Sequence, residues 1–179
     1  SQGILIPSED GIYTLTITAT DKVENTSTKI IENLAVDTFA PQVVFSQTSG
    51  ISYQKSYRVD FSITDSKAGV DKYYYIWNTS ARKPAIDSEE WSITSAASLT
   101  TPSGVSGTYY LHIKALDKVG NVGIVSTEGF NIDNTPPEVS ISPNGNNNNI
   151  GMPDYDVEIS ISDEITTYEQ IVKRYTISD

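Results

Sequence analysis

Apolar and polar residues alternate one for one along much of this chain. Tyr13, Leu15, Ile17 and Ala19 are interleaved with Thr14, Thr16, Thr18 and Thr20, so a pleated strand here carries one apolar face and one polar, β-branched face. The same pattern sets Tyr109, Leu111, Ile113 and Ala115 inward, and Tyr110, His112, Lys114 and Leu116 outward. Val59, Phe61 and Ile63 alternate with Arg58, Asp60 and Ser62. No stretch sustains a 3.6-residue apolar period beside helix caps, so an all-β chain with very little helix is expected. Short alternating strands punctuated every ~8–12 residues point to a sandwich or barrel.

The pattern also repeats. Gly11-Ile-Tyr-Thr-Leu-Thr-Ile-Thr-Ala-Thr-Asp-Lys-Val-Glu-Asn25 returns as Gly107-Thr-Tyr-Tyr-Leu-His-Ile-Lys-Ala-Leu-Asp-Lys-Val-Gly-Asn121, an offset of 107 − 11 = 96. That offset carries Asp37 onto Asp133 and Pro41 onto Pro137. A second block, Val59-Asp-Phe-Ser-Ile-Thr-Asp65, returns as Val157-Glu-Ile-Ser-Ile-Ser-Asp163 at 157 − 59 = 98, the two extra positions falling in a loop that holds Asn144-Gly145 and Asn146 to Asn149. Two matching blocks in register describe a tandem array.

Turn residues divide it. Asp117-Lys-Val-Gly-Asn121 joins two strands, with Asp able to bond its own turn and Gly able to take positive φ; Glu24 stands where Gly120 does and fits a left-handed position less comfortably. Asp37-Thr-Phe-Ala-Pro41 and Asp133-Asn-Thr-Pro-Pro137 read as linkers, since proline denies a continuous sheet. Between them seven strands are expected, near Gln42–Ser46, Ser56–Thr64, Lys72–Asn78, Glu90–Thr94, Ala97–Thr101, Gly107–Asp117 and Val122–Ile132. The domain plan is therefore a complete module over 40–136, the C-terminal half of a module over 1–39, and the N-terminal half of another over 137–179.

Taken with Ile132-Asp-Asn-Thr-Pro-Pro137, Tyr75-Ile-Trp77 and Trp91, the Gly107–Asn121 block resembles the tandem bacterial Ig-like repeats of exported proteins. The resemblance implies immunoglobulin-like β-sandwich modules serving as stalks, spacers or adhesive domains in surface-layer proteins, adhesins and multidomain enzymes. It implies fold and setting, not an activity.

Composition narrows the setting. Of 179 residues 12 are Lys or Arg and 23 are Asp or Glu, for a net charge of −11. A chain so acidic lacks the basic face that phosphate backbones or anionic lipids require, so neither nucleic acid nor membrane is an expected partner. Cysteine is absent, which removes disulfides, thiol catalysis and thiolate metal sites and fits many bacterial exported proteins. Eleven Tyr and two Trp argue for a packed core rather than disorder. No stretch reads as a transmembrane helix or signal peptide.

Catalysis finds little to work with. His112 is the single histidine, and its phase puts it on the outer face beside Lys114 as a solvated side chain. Glu89 and Glu90 are adjacent, so on a strand they point to opposite faces and cannot flank one glycosidic bond. No enzyme is expected.

Calcium is the one cofactor with candidate ligands. It takes ~6–8 oxygens, and Asp37, Asp133 and Asn134 lie at the linkers while Asp65 and Asp163 end the second strand of their modules. The Asp-Asn-x-Pro-Pro junction resembles the calcium-rigidified linkers of cadherins; the competing reading is that each Asp caps a turn. For a glycan ligand, Trp91 is the candidate stacking surface. Trp77 is expected in the core, and Tyr73-Tyr74-Tyr75 is split between two faces. Asn25-Thr-Ser27 and Asn78-Thr-Ser80 have the form of glycosylation sequons without further support.

Half a sandwich leaves its apolar face in water. Either the chain is a segment of a longer array, or the terminal halves of neighbouring copies complete one another, or the module boundaries lie elsewhere than drawn. The expected role is a structural segment of a cell-surface or secreted array, with neighbouring modules or copies of itself as partners. The alternatives are an adhesin binding a host protein or glycan, a filament subunit completed by neighbouring chains, and an accessory module of a secreted enzyme.

Overall fold

A computed structural model of the chain describes residues 7–142, 158–167 and 169–176. The run Asn146 to Asn149 and Val157 lie outside the described residues. Every regular element among those described is a strand.

Between the two linkers, strands form two sheets around one core. One sheet runs β4 (Gly50–Gln54), β11 (Phe130–Ile132), β9 (Gly107–Asp117), β6 (Val70–Asn78) and β7 (Ser92–Thr94), with β10 (Val122–Ser126) also paired to β9. The other runs β3 (Gln42–Phe45), β5 (Arg58–Thr64) and β8 (Ser98–Thr100). Alternation dictates which side chains meet between them. Val43, Val59 and Phe61 from the second sheet pack with Leu111, Ile113, Ala115 and Phe130 from the first. Val59, Leu111, Ile113 and Phe130 are fully buried, each contributing about 1.5–3 kcal/mol of apolar burial. The rings interlock edge to face: Trp77 meets Phe130 with centroids 5.8 Å apart, and Phe61 meets Tyr73 at 6.1 Å. All of this is consistent with a β-sandwich. The tyrosine run splits as its phase requires: Tyr73 and Tyr75 pack against the core, and Tyr74 faces Lys114 on the other side.

Two expectations about strands need correction. β4 is an additional strand. Its Ile51 is 86% exposed, so no inward apolar alternation marked it; parallel pairing with β11 makes it a strand instead. Gly50 is required there, because a Cβ would collide with the Tyr57 ring. The strand expected over Val122–Ile132 is broken into β10 and β11. Opposite β9, Ser126 pairs with His112 and Phe130 with Tyr109, which leaves one extra residue on this strand, a β-bulge. Thr127 fills the gap: the Leu111 N–H donates to its Oγ1 at 2.9 Å, and its own N–H donates to the Leu111 carbonyl at 2.9 Å.

His112 also departs from expectation. It points away from the core, as its phase requires, yet it is fully buried. The segment after β6 folds over it, and Nε2 lies 3.0 Å from Asn78 Oδ1 and 3.1 Å from the Ser80 carbonyl, while Nδ1 lies 2.6 Å from Ser126 Oγ. Two acceptors at Nε2 place the proton there and leave Nδ1 to accept from the serine. Burial pushes the His112 pKa below its ordinary value, against an opposing pull from the Ser80 carbonyl.

Among the described residues the remaining strands form two separate two-stranded sheets, the hairpins β1 (Gly11–Thr20) with β2 (Thr26–Val36), and β12 (Glu138–Ser142) with β13 (Glu158–Ser162). Their pairings copy the middle of the chain. The β1–β2 register shifts by one residue between Tyr13 and Leu15, the counterparts of Tyr109 and Leu111, so the same bulge recurs. Val139 opposes Ile161 as Val43 opposes Ile63. The turn Asp21–Asn25 repeats Asp117–Asn121, with Glu24 at φ 68° and Gly120 at φ 99°: the glutamate does take the left-handed conformation.

Candidate metal centre and neighbouring surfaces

β2 ends at Val36, β5 at Thr64 and β9 at Asp117, so Asp37, Asp65 and Asp117 all sit where strands give way to loops. The structure brings these three together, with one carboxylate oxygen from each lying within 4.8 Å of the others. Asp37 and Asp117 are buried, at 9% and 2% exposure. Each carboxylate also shapes its own loop. Asp65 Oδ1 accepts from the N–H groups of Lys67 (3.1 Å) and Gly69 (2.7 Å). Asp117 Oδ1 accepts from Val119, Gly120 and Asn121 at 2.9, 2.6 and 2.8 Å, and its Oδ2 accepts from Asn121 Nδ2 at 2.7 Å. Burial pushes the Asp117 carboxyl up, but these bonds, that from the Asn121 side chain foremost, outweigh it and hold the pKa below the ordinary carboxylate value.

The cluster is also a junction. Asp37 follows the β1–β2 hairpin, yet its Oδ1 accepts from Phe39 N–H at 3.1 Å and its Oδ2 from Ala68 N–H at 2.9 Å. Asn121 Nδ2 donates to the Asp37 carbonyl at 2.9 Å and to that of Phe39 at 3.3 Å. Beside it Thr38 donates from N and Oγ1 to Asp10 Oδ1 at 3.0 and 2.7 Å, and Lys67 Nζ lies 3.6 Å from Asp10 Oδ2. The linker backbone is therefore bonded on both sides.

Three oxygens within 4.8 Å suit one hard cation, since oxygens on opposite sides of a bound Ca2+ lie roughly 4.6–5.2 Å apart. Each carboxylate oxygen has two lone pairs and can serve an N–H and a metal together. The ion pairs of Arg58, Lys67 and Lys72 involve other acids, namely Asp60, Asp10 and Asp71.

Of the expected calcium ligands, then, Asp37 and Asp65 meet. Asp133, Asn134 and Asp163 do not join a comparable group among the described residues. Asp133 Oδ1 accepts from Thr135 N–H at 3.1 Å, and Asp163 Oδ1 accepts from Ile165 and Thr166 at 2.9 and 2.6 Å. Asn134 clamps the second linker instead, donating from Nδ2 to the carbonyls of Lys55 (3.0 Å) and Val105 (2.8 Å). Asp117 was not among the candidate residues because its turn explained it fully. The available signal was that Asp21, Asp37, Asp117 and Asp133 all repeat at one offset.

Trp91 is not a free platform. Lys114 Nζ lies 4.8 Å from the centroid of its ring and 4.6 Å from that of Tyr74, and Trp91 Nε1 donates to the Ala85 carbonyl at 2.8 Å. Burial lowers the Lys114 pKa, partly countered by the Asp87 charge. Trp77 packs against the core as expected, and it also lines a groove of about 530 Å3 with Tyr75, Leu99, Thr100 and Pro102. Its Nε1 is buried and without a partner. Asn78 of the second sequon is engaged with His112, and Asn25 of the first donates to Asp21 Oδ2 at 2.8 Å.

No protein-family model matches the chain, and no curated protein is similar enough to match it.

Proposed function

We propose that the chain is a structural segment of a tandem array of Ig-like modules, displayed at a bacterial surface or secreted, whose work is to hold what it carries at a set distance. The observation that carries this reading is the bonded junction. Asp37 and Asn121 tie the first linker to the middle module, so that a module's orientation passes to its neighbour rather than being lost in a free hinge. The 96-residue repeat, the acidic composition and the lack of cysteine support it. In this reading the Asp37, Asp65 and Asp117 cluster takes Ca2+, stiffening the same junction.

The test is motional. NMR relaxation is expected to give the β1–β2 hairpin and the middle strands one correlation time, and Asp37→Ala is expected to split it into two. Independent tumbling in the unaltered chain would sink the proposal. For the cation, added Ca2+ is expected to raise the melting temperature and EDTA to reverse the rise; a curve indifferent to both removes calcium and leaves the stalk.

A second reading, an adhesive module, is favoured by Trp77 alone. A ligand hydroxyl seated in its groove would accept the unpartnered indole N–H. Loss of glycan-array signal on Trp77→Phe supports this reading, and an array silent for the unaltered chain ends it.

A further inference from the structure

β7 covers β6 for only part of its length, meeting Tyr73, Tyr74 and Tyr75 through Thr94, Ile93 and Ser92. Had it run on, Glu90 would stand opposite Trp77. Instead the Glu90 N–H turns back to Ser88 Oγ at 3.3 Å, and Trp91 Nε1 is drawn to the Ala85 carbonyl. Ile76, Trp77 and Asn78 therefore meet β9 on one edge and, among the described residues, no strand on the other.

The pleat decides which backbone groups are left there. Leu111 directs its N–H to Thr127 Oγ1 and its carbonyl to the Thr127 N–H, so both face the β10–β11 side. Successive residues of a strand point these groups to alternate sides. His112 thus bonds toward β6, where Ile76 opposes it, and Trp77, opposite Leu111, turns its own N–H and carbonyl to the open edge. Its indole N–H, buried and without a partner, is a third unmet group at the same residue.

A pocket lies on each side of this edge. On the inner face Tyr75, Trp77, Leu99 and Pro102 line the groove of about 530 Å3, the first three packed against the core. The other, of about 480 Å3, is lined by Ser80, Arg82, Lys83 and Pro84 from the segment that crosses the outer face above His112. Asn78 and Glu90 border both. Arg82 and Lys83 are exposed and make no ion pair among the described residues, so this pocket sets two cations against one acid, Glu90, in a chain of net charge −11.

A strand sends its side chains alternately to the two faces of a sheet. An extended polypeptide on this edge puts every second side chain into the inner, aromatic groove and those between beside Arg82 and Lys83. A saccharide has neither that two-sided period nor a ladder of N–H and C=O groups. We propose that the open edge of β6 takes an extended peptide, antiparallel, in which apolar or hydroxyl side chains alternate with acidic ones. Antiparallel pairing lets the one guest residue opposite Trp77 exchange both backbone bonds with it, and a threonine there also offers its hydroxyl to the indole N–H. The proposal rests on the adhesive reading only in sharing its groove: the saccharide is tested on the array and the peptide on the chain's amide spectrum, so either can fail alone.

The probe is acetyl-Val-Glu-Thr-Glu-Val-amide, titrated into the full 15N-labelled chain. The backbone and indole N–H signals of Trp77 are expected to shift saturably, with a Kd below about 1 mM. A methyl group on the threonine nitrogen removes the N–H aimed at Trp77 and is expected to weaken binding at least roughly tenfold. One on either glutamate nitrogen, which points away, leaves it nearly unchanged. Replacing both glutamates of the peptide by lysine is expected to weaken binding, and Arg82→Glu with Lys83→Glu, at two exposed positions, to reverse that preference. A peptide that moves no signal at millimolar concentration, shifts confined to residues away from Trp77, equal losses from both methylations, or a charge preference indifferent to the exchange each overturns the proposal. A saccharide that moves the Trp77 signals when the peptide does not gives the groove to the glycan instead.

Discussion

β1 and β9 are written in nearly the same pattern and meet opposite fates. Leu111, Ile113 and Ala115 are sealed, whereas Ile17 is 41% exposed and the alternating β1 face stands open along much of its length. Backbone pairing does not account for this, because the bulge and the register recur in both hairpins. What differs is the layer opposite. β9 has β3 and β5 across from it and β6 alongside; among the described residues β1 has only β2. Alternation thus specifies which face seeks burial, while burial itself is supplied by a partner sheet. The same turn chemistry inherits the same difference: Asp21 accepts from Val23, Asn25 and the Asn25 side chain in water, and Asp117 accepts the equivalent bonds while buried.

Four measurements would break or sharpen that contrast. The largest effect belongs to Leu111→Ala, expected to cost about 2–5 kcal/mol of stability through loss of packing and the cavity left behind, read as a shift in the urea midpoint of tryptophan fluorescence. Leu15→Ala in dilute solution is expected to cost roughly 1 kcal/mol or less, as for sites without a sealed core. Equal costs would show that β1 is as tightly packed as β9. Next, Asp117→Ala strips the acceptor from three N–H groups and is expected to cost about 1–3 kcal/mol, while Asp21→Ala, whose turn water can solvate, shifts the midpoint less.

The third is a pH titration. His112 has its folded pKa below the ordinary 6.5, so between that value and its folded pKa the unfolded chain binds more protons. Stability then falls as pH is lowered through this window, since acid favours the state that takes up the proton. His112→Gln is expected to flatten that slope. The carboxylates of Asp117 and Asp21, held below 3.8 in the fold, add a further loss only at more acid pH. A slope unchanged by His112→Gln would mean that the histidine titrates normally beneath its cover. The smallest effect compares the turn position itself. Gly120→Ala forces a Cβ into positive φ and is expected to cost about 1 kcal/mol. Glu24→Gly relieves the same strain but loosens the unfolded chain, for a net change within about 0.5 kcal/mol by amide exchange in the hairpin.

Much of the fold could be read from alternation, and the reasons for the exceptions are specific. Gly107–Asp117 was placed to the residue because Tyr109, Leu111, Ile113 and Ala115 keep one inward phase between Gly107 and the Asp117 turn. β4 was invisible because its apolar residues face out and its strand character comes from β11, some 80 residues away. His112 was assigned to the correct face, but its cover is a loop, and nothing in a strand's period reports what crosses above it. The site was half legible. Asp37 and Asp65 stood out at strand ends, whereas Asp117 already had a sufficient local explanation in its turn, and only three-dimensional proximity sets its carboxylate beside the other two.

One last consequence follows from the parallel pairing of β4 with β11. β4 lies shortly after the first linker and β11 runs directly into the second, and both strands point the same way. Once β3 is drawn off β5, tension along the chain pulls the start of β4 and the end of β11 in opposite directions, parallel to the strands themselves. The bonds from Gly50 N–H to the Gly129 carbonyl, from Asn131 Nδ2 to the Ile51 carbonyl and from Asp133 N–H to the Gln54 carbonyl, at 2.9, 3.0 and 2.9 Å, share that load instead of opening one after another. The terminal hairpins, pulled from their ends, would unzip pair by pair. Stretched between two beads, the chain is expected to give way in the hairpins first and in the middle strands last, at a distinctly higher force; a single low-force rupture would show that the parallel pair carries no load.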